Sequence, residues 1–116
     1  MGDGMTEGQI QDAVRVALSV ASPEGHRLVL WRNNCGVAVT RNATIRYGVG
    51  NPGGADLIGL YRGRFVAVEI KRPGKKQTPE QLLFASLVRR TGGIYAVIHS
   101  VEEATQWLAE LRTLCL

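Results

Sequence analysis

Apolar residues recur along this chain with two different periods. Ile10, Ala13, Val14, Ala17, Leu18 and Ala21 fall at i, i+3, i+4 and i+7, the single stripe of an amphipathic helix. Thr6-Glu7-Gly8-Gln9 in front of it is a capping-box pattern, in which hydroxyl and amide side chains satisfy the first free backbone donors. Further on, short apolar runs replace the stripe. Leu28-Val29-Leu30-Trp31 reads as a strand and Val37-Ala38-Val39 as part of another. Residues 56–61 and 64–71 are rich in β-branched, aromatic and aliphatic side chains and are separated only by Arg62-Gly63, so they read as a hairpin. Thr78-Pro79-Glu80-Gln81 starts a second helix with proline in its first turn. That helix runs through Leu82, Phe84, Leu87 and Val88 and stops at Gly92-Gly93. Residues 94–98 form an apolar strand, paired in parallel through the helical crossover. Ser100-Val101-Glu102-Glu103 caps a last helix carrying Ala104, Trp107, Leu108 and Leu111. The predicted order is α-β-β-β-α-β-α, an α/β fold with one mixed central sheet flanked by helices.

The hairpin brings charge together. With Arg62 and Gly63 as a two-residue loop, Tyr61 faces Arg64, and counting outward sets Asp56 opposite Glu69. Directly opposed side chains share a face. Lys71, two residues beyond Glu69, joins them, while Val66, Val68 and Ile70 point the other way. A two-residue loop ordinarily begins with Asn or Gly, and a longer loop would shift this register. On an exposed face the trio would be an ordinary ion pair worth at most about 1 kcal/mol. The apolar context of Val-Ala-Val-Glu-Ile-Lys marks a central, buried strand instead, and a buried carboxylate needs a partner or a metal. Asp and Glu oxygens suit a hard ion such as Mg²⁺ or Mn²⁺. Such an ion polarises a phosphate and activates water, with the lysine orienting that water or stabilising the developing charge.

Asp56 followed by Glu69-x-Lys71 resembles the PD-(D/E)xK nuclease signature. The Gly54-Ala55-Asp56 form of its first half, with Gln81 downstream, resembles the compact VRR-NUC branch, whose members are common as stand-alone phage proteins. The resemblance runs from about Thr6 to Leu108 and departs at Ala55, where many relatives carry proline. It implies a restriction-endonuclease-like α-βββ-α-β core and a metal-dependent DNA endonuclease. Asp56 and Glu69 would be metal ligands, the main-chain carbonyl of Ile70 a third, and Glu7 would complete the shell directly or through water. Glu7 is equally a first-turn glutamate favouring the helix dipole. Gln81 would lie near the catalytic residues, although it also holds a capping-box position. Arg32-Asn33-Asn34-Cys35-Gly36 resembles the family's polar segment after the first core strand, with a plain Asn/Gly turn as the alternative. For the small members the family implies a homodimer that presents two sites to branched DNA, as Holliday-junction resolvases do. Trp107, Leu111 and Leu114 are then a candidate dimer patch or, alternatively, packing against the sheet.

Composition adjusts this picture. The 116 residues suit one domain, residues 1–116, with 1–5 expected to be a loose terminus, and 45% hydrophobic content supports a core. The net charge of +4 suits a polyanionic partner. Arg72, Lys75 and Lys76 follow the proposed site on a Pro73-Gly74 loop, and Arg32, Arg41 and Arg46 precede it. Arg32, Asn33, Asn34, Arg46, Arg72, Lys75 and Lys76 are the candidate DNA contacts, backbone-directed and without base preference; a merely solvated basic loop is the alternative. Gly48-Val49-Gly50-Asn51-Pro52-Gly53-Gly54 contains G-x-G-x-x-G, but a strand follows it instead of a helix, so it is read as a flexible loop delivering Asp56 and no nucleotide cofactor is expected. Cys35 and Cys115 lack metal-ligand spacing and point to free thiols, and His26 and His99 are isolated. No apolar run approaches a membrane span and no leader is evident, so a cytoplasmic protein is expected. A nucleic-acid-binding module without catalysis and a structural protein with a salt-bridged sheet end are the other classes.

Overall fold

The computed structural model describes residues 4–21 and 27–113. Its elements are α1 (Glu7–Ala21), β1 (Leu28–Arg32), β2 (Gly36–Val39), β3 (Thr44–Tyr47), β4 (Leu57–Tyr61), β5 (Arg64–Ile70), α2 (Pro79–Arg90), β6 (Ile94–Ile98) and α3 (Val101–Arg112). Four strands form a mixed sheet in the order β1-β4-β5-β6, with β5 antiparallel to β4 and parallel to β6. Helices cover both faces.

The elements arise where the patterns place them. Thr6 and Gln9 close a reciprocal cap, with Gln9 N–H donating to Thr6 Oγ1 and Thr6 N–H to Gln9 Oε1, at 3.1 and 2.8 Å. Behind that cap Ile10, Val14 and Leu18 are buried. They pack with α3 residues Ala104, Leu108 and Leu111 on the face of the sheet that carries Val66, Val68 and Ile70. The opposite face carries Ala67 and Tyr95 and is covered by Phe84, Ala85 and Val88 of α2. Strand alternation thus feeds two cores from the single strand β5. α2 does not reach across the sheet, so Trp31 of β1 and Leu60 of β4 stay exposed, as do Leu82, Leu83 and Leu87 on α2 itself.

The register expected for the hairpin is the one observed, with Tyr61 paired to Arg64 and Leu57 to Val68. Arg62 and Gly63 both take positive φ, 50° and 82°, the geometry of a two-residue turn that follows the twist of the strands. One expectation changes. Val37-Ala38-Val39 does not extend the main sheet: it lies in β2, paired with the unpredicted strand β3 in a separate two-stranded ribbon. Five strands therefore precede α2, three of them in the main sheet. Leu111 is buried in the core and Trp107 packs partly against it, in keeping with the packing alternative given for them. Leu114, His26 and Cys115 lie outside the described residues, as do Met1, Gly2 and Asp3 of the expected loose terminus. No helix among the described residues is long and apolar enough to cross a membrane.

Candidate active site

Asp56 interrupts the β4–β5 ladder. Ladder pairing ends at Leu57 opposite Val68, and the next inward-pointing backbone donor, Ile70 N–H, is taken by the Asp56 side chain, with Oδ2 at 2.8 Å. The Lys71 N–H donates to the Ile98 carbonyl of β6 at 3.1 Å. Strand alternation therefore turns the N–H and carbonyl of Ile70 the other way, towards Asp56. The carbonyl expected as a third ligand thus lies on the side of the strand where the aspartate sits.

Glu69 and Lys71 project from the α2 face of β5 and are buried, with 3% and 9% of their surface exposed. Lys71 Nζ is 3.6 Å from Glu69 Oε2. The same oxygen accepts Gln81 Nε2 at 2.9 Å. Gln81 is held for this by the cap of α2: Thr78 N–H donates to its Oε1 at 2.9 Å, which leaves the amide nitrogen facing Glu69. The amide thus closes the cap with its oxygen and reaches Glu69 with its nitrogen. Both donors meet Oε2, while Glu69 Oε1 is buried without a hydrogen-bond partner.

Charge accumulates here faster than it is compensated. Burial, and next the charge of Asp56, push the Glu69 carboxyl up to about 7 against the pull of Lys71. Burial also raises Asp56, partly offset by the Ile70 N–H, with Glu7 pushing upward and Lys71 downward. Glu7 approaches from the first turn of α1, where its Oε2 accepts the Arg72 N–H at 3.4 Å. Its charge is felt by both carboxyls, yet among the described residues no three His, Cys, Asp or Glu side chains form a group that could hold a metal ion. Asp56, Glu69 and the Ile70 carbonyl would offer an ion two carboxylates and a carbonyl, with Glu7 close enough for its charge to act on both carboxylates. That set suits Mg²⁺ or Mn²⁺, which keep several waters and take one or two carboxylates together with substrate phosphates. The uncapped Glu69 Oε1 is the observation that fits a cation, because a buried carboxylate oxygen without a donor is costly until something positive meets it.

The approach to Asp56 is a cavity of about 550 Å³, lined among others by Arg32, Asn33, Asn34, Gln11 and Tyr47. Arg32 and Asn34 are exposed there. Asn33 is committed to the fold: its Oδ1 accepts Val49 N–H at 2.9 Å, and its Nδ2 donates to the carbonyls of Val49 and Ala55 at 2.8 and 2.9 Å. The glycine-rich segment read as flexible is thus tied to the end of β1. It also presses on α2, since Gly53, at φ 93°, leaves no room for a Cβ against the Glu80 carbonyl. Ala55, where the resemblance departs, is buried. Arg46 lies on the ribbon, and Arg72, Lys75 and Lys76 are exposed on the loop between β5 and α2; none of these four lines the cavity. Gln11 and Tyr47 were not anticipated. Gln11 had a legible signal, standing one turn after Glu7 on the same helix face.

Cys35 lines the same cavity, and burial together with the charges of Asp56 and Glu69 pushes its thiol up. Tyr95, beneath α2, is pushed up to about 12 by burial and Glu69, and its hydroxyl accepts Gln77 Nε2 at 3.0 Å. Comparison of the chain with known protein families gives no match, and comparison with curated proteins gives none either.

Proposed function

We propose that this chain is a Mg²⁺- or Mn²⁺-dependent endonuclease that hydrolyses DNA phosphodiester bonds. The reading includes a restriction-endonuclease-like core of the VRR-NUC kind, branched DNA as preferred substrate and a homodimer as the working form. The observation that carries it is the buried pair Glu69 and Lys71 at the end of β5 beside the half-buried Asp56, with Glu69 Oε1 lacking a donor. Asp56, Glu69 and the Ile70 carbonyl would hold the ion. When bound, it supplies Lewis-acid stabilisation of phosphate charge and a more acidic water. The protein's own groups do the rest. Lys71 is 3.6 Å from Glu69 and serves to orient the attacking water and offset charge building on the phosphate. Gln81 holds the carboxylate of Glu69 by Oε2 and leaves Oε1 without a donor, free for the ion. Arg32 and Asn34 hold the backbone in the cavity beside Asp56. The exposed Trp31, Leu60, Leu83 and Leu87 give a homodimer apolar surface to cover.

The test is cleavage of end-labelled linear, flap and four-way-junction DNA with either metal, wild type beside Lys71→Ala. Paired cuts confined to the junction, absent in the variant, are expected. Cutting of flaps or linear DNA keeps the nuclease and removes the junction preference. Binding without metal-dependent cutting of any substrate would make the chain a non-catalytic nucleic-acid-binding module.

A further inference from the structure

The β2–β3 ribbon has no place in either core. Residues 37–50 are all exposed, and the ribbon pairs only with itself. An isolated two-stranded hairpin is marginal in water, so its shape needs local support. That support is present. Asn51 Nδ2 clamps the base, donating to the carbonyls of Gly36 and Tyr47 at 2.7 and 2.8 Å. The Tyr47 ring lies in the space left by the missing Cβ of Gly36. At the tip Thr40 N–H donates to the Ala43 carbonyl at 2.7 Å, and Ala43 N–H returns to Thr40 Oγ1 at 2.9 Å.

This braced projection carries an unusual surface. Val37 and Val39 share one face with Thr44 and Arg46, and Val39 is 77% exposed. Arg41 stands at the tip, and no acidic residue occurs between Arg27 and Ala55. Exposed β-branched side chains interspersed with arginine suit the floor and walls of a DNA groove, where phosphates take the charge and thymine methyls the apolar contacts. Tyr47, at the base of the ribbon, lines the same cavity as Asp56, so the two surfaces are continuous.

We infer that the β2–β3 ribbon is a duplex-DNA arm that enters the major groove of B-form DNA beside the bond held at Asp56. This rests on the nuclease reading for its position but not for its binding. The B-form major groove is wide enough for a two-stranded ribbon. The deep, narrow groove of A-form RNA excludes it, and single strands offer no groove at all. The arm therefore makes double-stranded DNA flanking the cut the substrate class.

Binding in chelator, read by fluorescence anisotropy across a salt series, tests the arm without cleavage. The probes are a DNA duplex, the same sequence as single strand, and the same sequence as an RNA duplex. Wild type is expected to favour the DNA duplex. Arg41→Ala/Arg46→Ala is expected to weaken duplex binding by at least about tenfold and to lower the log–log salt slope by about 2, with little effect on the single strand. Val39→Ser, at a site too exposed to disturb folding, is expected to weaken duplex binding with the salt slope unchanged. Equal losses on duplex and single strand, or none on either, would overturn the arm. So would conversion of a dimer to a monomer by either variant in sedimentation, because the ribbon would then meet a second copy of the chain. Duplex binding through the ribbon with no metal-dependent cutting leaves the arm standing and the nuclease fallen; cutting with unaltered binding by both variants does the reverse.

Discussion

Glu69 shows how two weak donors can shape a site. Lys71 and Gln81 both address Oε2, so the carboxylate is oriented but only half satisfied. The two donors differ in what else they do, and their substitutions should separate accordingly. Gln81 also closes the cap of α2, so Gln81→Ala is expected to cost about 1–2 kcal/mol of stability in denaturant unfolding, together with reduced cleavage. Lys71 supports no element, and Lys71→Ala is expected to abolish cleavage while changing stability by under about 1 kcal/mol. A large stability loss with retained cleavage would assign Lys71 to the fold instead. From the sequence, the cap and the catalytic neighbourhood looked like competing roles for Gln81. They are compatible because a side-chain amide has an acceptor at one end and a donor at the other.

At the scale of elements, the β4–β5 register was legible because a two-residue turn leaves no slack: once Arg62 and Gly63 are the loop, every pairing follows. The ribbon was not legible in the same way. Thr44–Tyr47 is short and contains an arginine, and its pairing with β2 depends on contacts that no local pattern encodes. The pinning of residues 49–55 was hidden for a related reason, since an asparagine after a strand reads as a turn until its partners are known. Asn33→Ala removes three hydrogen bonds to that segment and is expected to lower stability by about 2 kcal/mol. It should depress cleavage far more than that loss explains, because Asp56 follows directly; unchanged cleavage would show that the segment does not position the aspartate. Gly59 in β4 has the Val29 carbonyl of β1 where a Cβ would stand. Gly59→Ala is accordingly expected to separate β1 from the sheet and give little folded protein by circular dichroism, and a native-like melt would contradict that packing.

The whole molecule stores the electrostatic cost of the site in its pH dependence. The folded carboxyl of Glu69 titrates near 7 against an ordinary value of 4.5, so the native state holds its proton longer than the unfolded chain. Stability is then greatest below about 4.5 on account of this group and falls as pH rises towards 7, by up to the order of 3 kcal/mol, with Asp56 acting in the same direction. In chelator, the melting temperature is expected to be higher at pH 5.5 than at pH 8, and Glu69→Gln should flatten that difference. A wild-type profile rising over this interval would refute the burden assigned to Glu69. Millimolar Mg²⁺ or Mn²⁺ is expected to raise the melting temperature at pH 8 and much less at pH 5.5, where the proton already occupies the carboxylate. No shift at pH 8 would remove the metal from the proposal.

The aspartate that closes the β4–β5 ladder has a consequence for descent. Because Asp56 Oδ2 serves a backbone donor, a lineage that gave up the proposed cleavage would still be penalised for losing it. Lys71 has no such second employment, and drift would erase it first. Among descendants of this chain, the lysine is on the nuclease reading the letter that reports selection for chemistry, whereas a retained aspartate reports selection for a closed sheet as well.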